Sequence, residues 1–302
     1  MNTLITTHNL TKNYGKQKAV DNVSLTLNKG EIYGLVGKNG AGKTTLFKLL
    51  MGISYPTQGS ISIMGSKNES EIISHRGRIG FMMDSKFFPY MTAFQNIEYF
   101  RKLKGIVNPA ETTRVLKIVE LNDLKKTYKQ FSMGMKQRLG LANALLGNPD
   151  IVILDEPVNG LDPQGIVDFR KMILKMNKEE GTTFLISSHI LSELALLGDR
   201  FGIIHQGKLI EEITQEQLHL KSQTGTLLST DNPSKTVTLL EDKLNITNYK
   251  VNSNEDIIIN DENIDTIKLS KEVVNAGIGL KKLTSIETTL EDYFISLTGG
   301  TK

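Results

Sequence analysis

A glycine-rich octapeptide between an apolar run and a helical pattern constrains the fold of this chain most. Residues 37–44 read GKNGAGKT, which matches the spacing G-x-x-x-x-G-K-[ST] in full. Residues 31–36 (EIYGLV) are typical of a short buried strand, and apolar residues at helical spacing follow the loop. A strand, a glycine loop and a helix in this order predict a site where backbone N–H groups and the helix N-terminus bind phosphate.

The residue types of this loop suit the phosphates of a nucleoside triphosphate. Lys43 is expected to reach the β- and γ-phosphates, and the Thr44 hydroxyl is expected to bind Mg²⁺. The candidate nucleotide-binding residues in this segment are Gly37, Lys38, Asn39, Gly40, Ala41, Gly42, Lys43, Thr44 and Thr45.

Two adjacent carboxylates follow a second apolar run. Residues 151–154 (IVIL) are typical of a strand that is buried on both faces in a parallel sheet, and Asp155 and Glu156 come directly after it. Acidic pairs are common on protein surfaces, but a pair at a strand end in a chain with a phosphate loop favours catalysis. Asp155 is expected to bind Mg²⁺, directly or through water, and Glu156 to point at an attacking water.

The composition excludes several classes of protein. The net charge of +3 is too small to indicate binding to nucleic acid or to an anionic membrane surface. The chain has no cysteine, so it has no disulfide framework and is compatible with a reducing cytoplasm. The N-terminus shows no obvious secretory signal, and no apolar stretch approaches the ~18 residues of a membrane helix. If this protein works at a membrane, we expect another chain to span it.

Further motifs follow the order found in the ATP-binding subunits of ABC transporters, which residues 1 to about 215 resemble. Tyr14 matches the aromatic residue that stacks on adenine. Residues 131–138 (FSMGMKQR) match the signature segment, and residues 159–162 (NGLD) match the loop that couples the two sites of a dimer. His189 matches the switch histidine that contacts the γ-phosphate.

The resemblance implies that two ATP molecules, with Mg²⁺, are bound between two nucleotide-binding domains arranged head to tail. Ser132 and the backbone near Gly134 would face the γ-phosphate held by the other subunit's loop. Glu156, Lys43 and His189 are then the catalytic candidates. Glu156 would orient or deprotonate water, Lys43 would stabilise the developing charge, and His189 would hold the γ-phosphate.

One position and the signature segment depart from the usual family pattern. Asp84 falls where the family usually has a glutamine that touches Mg²⁺, which makes it a metal candidate beside Thr44 and Asp155. An acidic residue there, and a signature with Met133 and Met135, resemble the bacitracin and lantibiotic resistance exporters. None of these departures touches Lys43, Asp155 or Glu156, so we expect an active ATPase.

The sequence predicts an α/β fold in two domains. Residues 1–215 are expected to form a P-loop NTPase domain of the ABC type, with a mostly parallel sheet, an antiparallel β subdomain and a helical subdomain at about 86–145. Residues 216–302 read as β-α-β-β-α-β with a last helix, which predicts a small α+β domain of the split βαβ, ferredoxin-like kind. The apolar residues 87–91 (FFPYM) are either local core or part of a groove for a helix of a membrane partner.

These observations favour an ATP-hydrolysing subunit that energises a membrane exporter, with antimicrobial peptides or other amphipathic molecules as cargo. The expected partners are a membrane-spanning permease on a separate chain and a second nucleotide-binding subunit, identical or different. No nucleic acid is expected, and the chain would lie at the cytoplasmic face of the membrane. The alternatives are a soluble ABC ATPase acting on nucleic acid or the ribosome, and a non-hydrolysing sensor, which Glu156 disfavours.

Overall fold

The computed structural model describes residues 3–83, 86–221, 224–252, 254–259, 264–287 and 290–299. Its backbone forms two units, Met1–Gln215 and Glu216–Lys302. Asp84, one of the three metal candidates, lies outside the described residues.

The first unit begins with antiparallel strands and continues as alternating strands and helices. Its elements, in chain order, are β1 (Thr3–Tyr14), β2 (Gln17–Val23), β3 (Thr26–Asn28), β4 (Ile32–Val36), α1 (Lys43–Leu50), β5 (Gln58–Ile63), α2 (Glu69–Arg76), β6 (Ile79–Met82), α3 (Ala93–Leu103), α4 (Ala110–Ile118), α5 (Met133–Ala144), β7 (Ile151–Asp155), α6 (Pro163–Glu180), β8 (Thr183–Ser188), α7 (Leu191–Ala195), β9 (Arg200–His205) and β10 (Lys208–Thr214). Helix α8 (Gln215–Lys221) follows.

Two sheets form this unit. Strand β1 pairs antiparallel with β2, β3 and β5. The second sheet has the order β10-β9-β4-β8-β7-β6, and its strands are parallel except for β10, which forms an antiparallel hairpin with β9. The apolar runs of the sequence are its central strands: every residue of β4 and β8 is buried, as are the first four of β7.

The strand order of the parallel sheet determines which loops meet. Strand β8 lies between β4 and β7, and all three run in the same direction. The carboxyl ends of parallel strands lie at one edge of a sheet, where ligands bind in open α/β folds. The phosphate loop follows β4, Glu156 follows β7 and His189 follows β8, so these segments converge.

Helix α5 packs directly on strand β6, because glycines replace side chains at the contact. A Cβ at Gly80 would collide with the carbonyl oxygen of Ala144 at the end of α5. A Cβ at Gly140, within the helix, would lie 3.1 Å from the sulfur of Met82. The two backbones therefore meet at Gly80, where a larger residue does not fit, and at Gly140 the helix packs closely on the Met82 side chain.

The second unit contains a four-stranded antiparallel sheet and its own core. Its elements are β11 (Thr224–Thr230), α9 (Pro233–Asp242), β12 (Tyr249–Val251), β13 (Ile257–Ile259), α10 (Thr266–Asn275), β14 (Leu280–Glu287) and α11 (Leu290–Leu297). The strands lie in the order β12-β13-β11-β14, which is the order of a split βαβ fold. The buried core residues are Leu228, Leu240, Ile257, Ile259, Leu269, Val273 and Ile278.

Within the described ranges of the chain, every helix is too short or too polar to cross a membrane.

Candidate nucleotide-binding and hydrolysis site

The phosphate loop needs its glycines for different reasons. Gly40 and Gly42 have φ values of +81° and +111°, which L side chains rarely adopt. A Cβ at Gly42 would also collide with the carbonyl oxygen of Ala19, and one at Gly37 would lie 2.5 Å from that of Ile204. Gly42 is the N-cap of α1, so the loop ends with backbone N–H groups at the helix N-terminus.

Lys43 is held at the centre of the loop by groups of its own chain. Its side chain is only 5% exposed. The ammonium donates a hydrogen bond to the carbonyl oxygen of Gly37, and Nζ lies 3.0 Å from Oε1 of Glu156 as an ion pair. A buried lysine needs such partners, and Gly37 and Glu156 supply them where phosphates would bind.

Thr44 and Asp155 lie side by side, although 111 positions separate them in the sequence. The Thr44 hydroxyl donates to Oδ2 of Asp155 at 2.7 Å, and the Ser187 hydroxyl donates to Oδ1 at 2.6 Å. A hydroxyl and a carboxylate oxygen are ligands that Mg²⁺ prefers. Among the described residues no cluster of three or more His, Cys, Asp or Glu side chains could hold a metal ion. This small donor set fits Mg²⁺, which keeps several waters and binds phosphate oxygens.

Glu156 joins the phosphate loop to His189. Its Oε2 lies 2.7 Å from Nδ1 of His189, and its Oε1 faces Lys43. A carboxylate only accepts hydrogen bonds, so Nδ1 carries the proton in this contact. The Glu156 backbone has a φ of +49°, and its N–H donates to the Ser187 hydroxyl at 2.9 Å.

A nearby carboxyl group is also influenced by this pair. Burial raises the pKa of Glu193 on α7, and the negative charge of Glu156 raises it further, while His189 acts in the opposite direction.

A cleft of about 320 Å³ lies beside the loop, within the size range of small-molecule sites. Tyr14 is half-exposed in it, and Nζ of Lys12 lies 5.2 Å from the centroid of the Tyr14 ring. This arrangement suits stacking of a base on the tyrosine. The cleft is lined by Tyr14, Gln17, Ala19, Asn39, Gly40, Ala41, Gly42, Lys43, Thr44, Thr45 and Glu156. Lys38 does not line it, but the Lys38 carbonyl accepts a hydrogen bond from the Ala41 N–H at 3.0 Å.

Ser132 and Gly134 lie at a different cleft of the same chain. Ser132 is the N-cap of α5, and its hydroxyl accepts a hydrogen bond from the Met135 N–H at 3.3 Å. These residues line a second cleft of about 210 Å³ together with Leu161 and Asp162 of the predicted coupling loop. The described residues of one chain therefore bring together Lys43, Thr44, Asp155, Glu156 and His189, but not the signature segment.

Three further residues at the site lie outside the sequence motifs. Gln17 and Ala19 line the nucleotide cleft, and no motif identifies them. Ser187 contacts both Asp155, the last residue of β7, and Glu156, which follows it. The available signal for Ser187 was a polar side chain at the end of an otherwise apolar buried strand.

Comparison with known proteins reveals close relatives. Residues 20–159 match the ABC transporter family model. The chain is 43% identical to the bacitracin transport ATP-binding protein BcrA of Bacillus licheniformis over 305 residues, which covers 99% of each chain. It is 41% identical over 204 residues to the lantibiotic transport ATP-binding protein SrtF of Streptococcus pyogenes, which covers 68% of this chain and 88% of SrtF.

A solved structure gives the same fold. The dimeric structure of MJ0796, a bacterial ABC transporter cassette, is 27% identical with a TM-score of 0.62, and the match covers 70% of this chain and 99% of that one. The predicted fold class is thus confirmed, and so is the predicted resemblance to the bacitracin and lantibiotic exporters. The chain belongs to the ATP-binding and ATP-hydrolysing subunits of ABC transporters, in the group that includes the bacitracin and lantibiotic transport proteins.

Proposed function

We propose that this chain energises the export of antimicrobial peptides of the bacitracin or lantibiotic type through a separate membrane permease. ATP hydrolysis by this chain is supported by one observation. Beside the phosphate loop, Glu156 forms an ion pair with Lys43 and a hydrogen bond with His189. The names of the relatives support the cargo class. The alternative of a soluble ATPase acting on nucleic acid is not supported by them.

Each catalytic side chain has a separate task in this proposal. Lys43 binds the β- and γ-phosphates. It neutralises the negative charge that develops as the bond between the γ-phosphorus and the bridging oxygen of ADP breaks. Glu156 orients the attacking water and accepts its proton. His189 holds the Glu156 carboxylate through Nδ1 and contacts the γ-phosphate.

Thr44 and Asp155 would hold Mg²⁺, and their adjacent oxygens support this assignment. When bound, the ion supplies positive charge to the phosphate oxygens. Asp84 remains a proposed third metal ligand from the sequence alone.

The second nucleotide-binding subunit completes the site. Ser132 and Gly134 line a cleft other than the one beside the phosphate loop, which supports a head-to-tail arrangement in which each signature segment faces the partner's nucleotide. A helix N-terminus capped by a serine suits an anionic γ-phosphate.

The permease would bind at exposed aromatic residues near the start of the helical segment. Phe88, Tyr90, Phe94 and Tyr99, here called the aromatic surface, are each at least 40% exposed. Phe88 and Tyr99 pack edge to face, with ring centroids 4.8 Å apart. Phe87, in contrast, is buried against Phe100 and Tyr128, so it belongs to the core. The chain would then lie at the cytoplasmic face of the membrane through the permease.

A detergent pull-down with the tagged chain tests the partner, and growth of a strain lacking the chain tests the cargo. A membrane-spanning protein should co-purify. The deletion strain should become sensitive to bacitracin or lantibiotics, and growth should recover with the wild-type chain but not with the Lys43→Ala variant.

Phe88→Ala tests the aromatic surface: it should release the permease while the isolated chain keeps its ATPase activity. Tyr55→Ala, which removes an aromatic ring that is 70% exposed outside the aromatic surface, is the matched control. Co-purification of soluble proteins alone would contradict the exporter.

A further inference from the structure

Ser187 is a completely buried hydroxyl residue at the carboxyl end of strand β8. The parallel register places it directly opposite Asp155 of the neighbouring strand β7. Its hydroxyl therefore lies between two residues of the site, the Asp155 carboxylate and the Glu156 backbone, with oxygen-to-oxygen and oxygen-to-nitrogen distances of 2.6 and 2.9 Å.

The chemistry of the hydroxyl fixes the direction of both hydrogen bonds. The Glu156 N–H can only donate, so the Ser187 oxygen accepts from it. The single hydroxyl proton then goes to Oδ1 of Asp155, and the separation of 2.6 Å is typical of a hydroxyl bonded to a carboxylate. Thr44 donates to the other oxygen, Oδ2, in the same way. The two hydroxyls together fix the rotation of the carboxylate plane.

The contact with Glu156 acts on its backbone. A φ of +49° is unfavourable for an L residue that carries a side chain, and such conformations persist only where surrounding contacts hold them. The hydrogen bond from the Glu156 N–H to Ser187 is such a contact. This turn directs the Glu156 carboxylate to Lys43 on one side and His189 on the other.

We propose that Ser187 is a positioning residue for ATP hydrolysis, whose one hydroxyl orients the Asp155 carboxylate and holds the Glu156 backbone in its left-handed conformation. The proposal rests on the roles proposed above for Asp155 and Glu156. Ser187 is completely buried and does not line the nucleotide cleft. Its removal should therefore reduce turnover more than it reduces nucleotide affinity.

Steady-state ATPase assays on the purified full-length chain test this with Ser187→Ala. We expect kcat to fall roughly tenfold to a hundredfold, since two buried polar groups lose their partner, while KM for ATP changes by less than about threefold. Thr183→Ala is the matched control. Thr183 is a buried residue on the same strand, and its hydroxyl accepts a hydrogen bond from the Gly30 backbone N–H at 2.8 Å. This control should lower the melting temperature as Ser187→Ala does but keep kcat within about twofold of wild type.

A second pair of variants separates the hydroxyl from the shape of the side chain. Ser187→Thr and Ser187→Val place nearly the same volume at the strand, and only the threonine keeps the hydroxyl, so kcat should be roughly tenfold higher with threonine. Normal kcat in Ser187→Ala, or equal kcat in the threonine and valine variants, would overturn the role of Ser187. A wild-type chain without Mg²⁺-dependent turnover would instead overturn the proposed function.

Discussion

Replacing Glu156 with glutamine should stop hydrolysis while leaving ATP bound. The carboxylate accepts from His189 Nδ1 at 2.7 Å and pairs with Lys43 Nζ at 3.0 Å. An amide has one acceptor and one donor end, so it keeps the contact to one of these residues and turns its N–H₂ group towards the other. It also cannot accept a proton from water. General-base catalysis contributes roughly 10²- to 10⁴-fold, so kcat should fall by that factor, or about 3–5 kcal/mol of barrier.

The same change should not weaken nucleotide binding. Removing the negative charge beside Lys43 frees the ammonium to pair with phosphate, so the affinity for ATP should be retained or increased. With hydrolysis blocked, size-exclusion chromatography with light scattering should show a dimer that appears only with ATP.

The control is Glu179→Gln, which removes an exposed carboxylate of α6 whose ion pair within the described part of the chain is a 4.0 Å contact with Lys175. It should hydrolyse ATP at the wild-type rate, since exposed pairs of this kind contribute little. Turnover by Glu156→Gln within tenfold of wild type would refute the reasoning, because a base that contributes less than about 1.4 kcal/mol is not the principal one.

Three further changes test other parts of the structure. Lys43→Ala should abolish ATP binding measured by calorimetry, and unchanged affinity would contradict the assignment of the loop. Gly80→Ala should lower the free energy of unfolding by about 1–3 kcal/mol in chemical denaturation, because its Cβ collides with the Ala144 carbonyl; equal stability would show that α5 shifts freely. Hydrogen bonds from Arg101 and then Thr112 lower the pKa of Glu98 from 4.5 to about 2. A depressed pKa stabilises the fold above pH 4.5, so Glu98→Gln should be less stable than wild type at neutral pH, and the difference should shrink as the pH falls from 4.5 to 2. A difference that does not change with pH would contradict this.

The central site was predictable because each of its motifs is local. The phosphate loop, Asp155 and His189 each follow an apolar run, and the rule that parallel strands end at one edge brings them together. Ser187 was not predictable in the same way. Its importance depends on which residue of β7 lies opposite, and neither strand's own sequence determines this register.

The apolar segment 87–91 illustrates a second limit. Two adjacent phenylalanines have the same hydropathy, so the pattern left core packing and a partner groove as equal alternatives. The structure buries Phe87 among aromatic rings and leaves Phe88 40% exposed. The distinction arises from the turn of the backbone before α3, which is set by tertiary contacts such as the Phe88 N–H bonded to Asn96 at 2.8 Å.

The close packing of α5 on β6 has a mechanical consequence. Because Gly80 leaves no gap between the β6 backbone and the Ala144 carbonyl, and Gly140 packs against the Met82 side chain, a rotation of the helix requires the strand to move with it. The helix is capped by Ser132, which is proposed to face the partner's nucleotide, and among the described strands β6 is the edge strand beside β7. A signal that arrives at Ser132 would thus be transmitted as a displacement of the edge of the sheet.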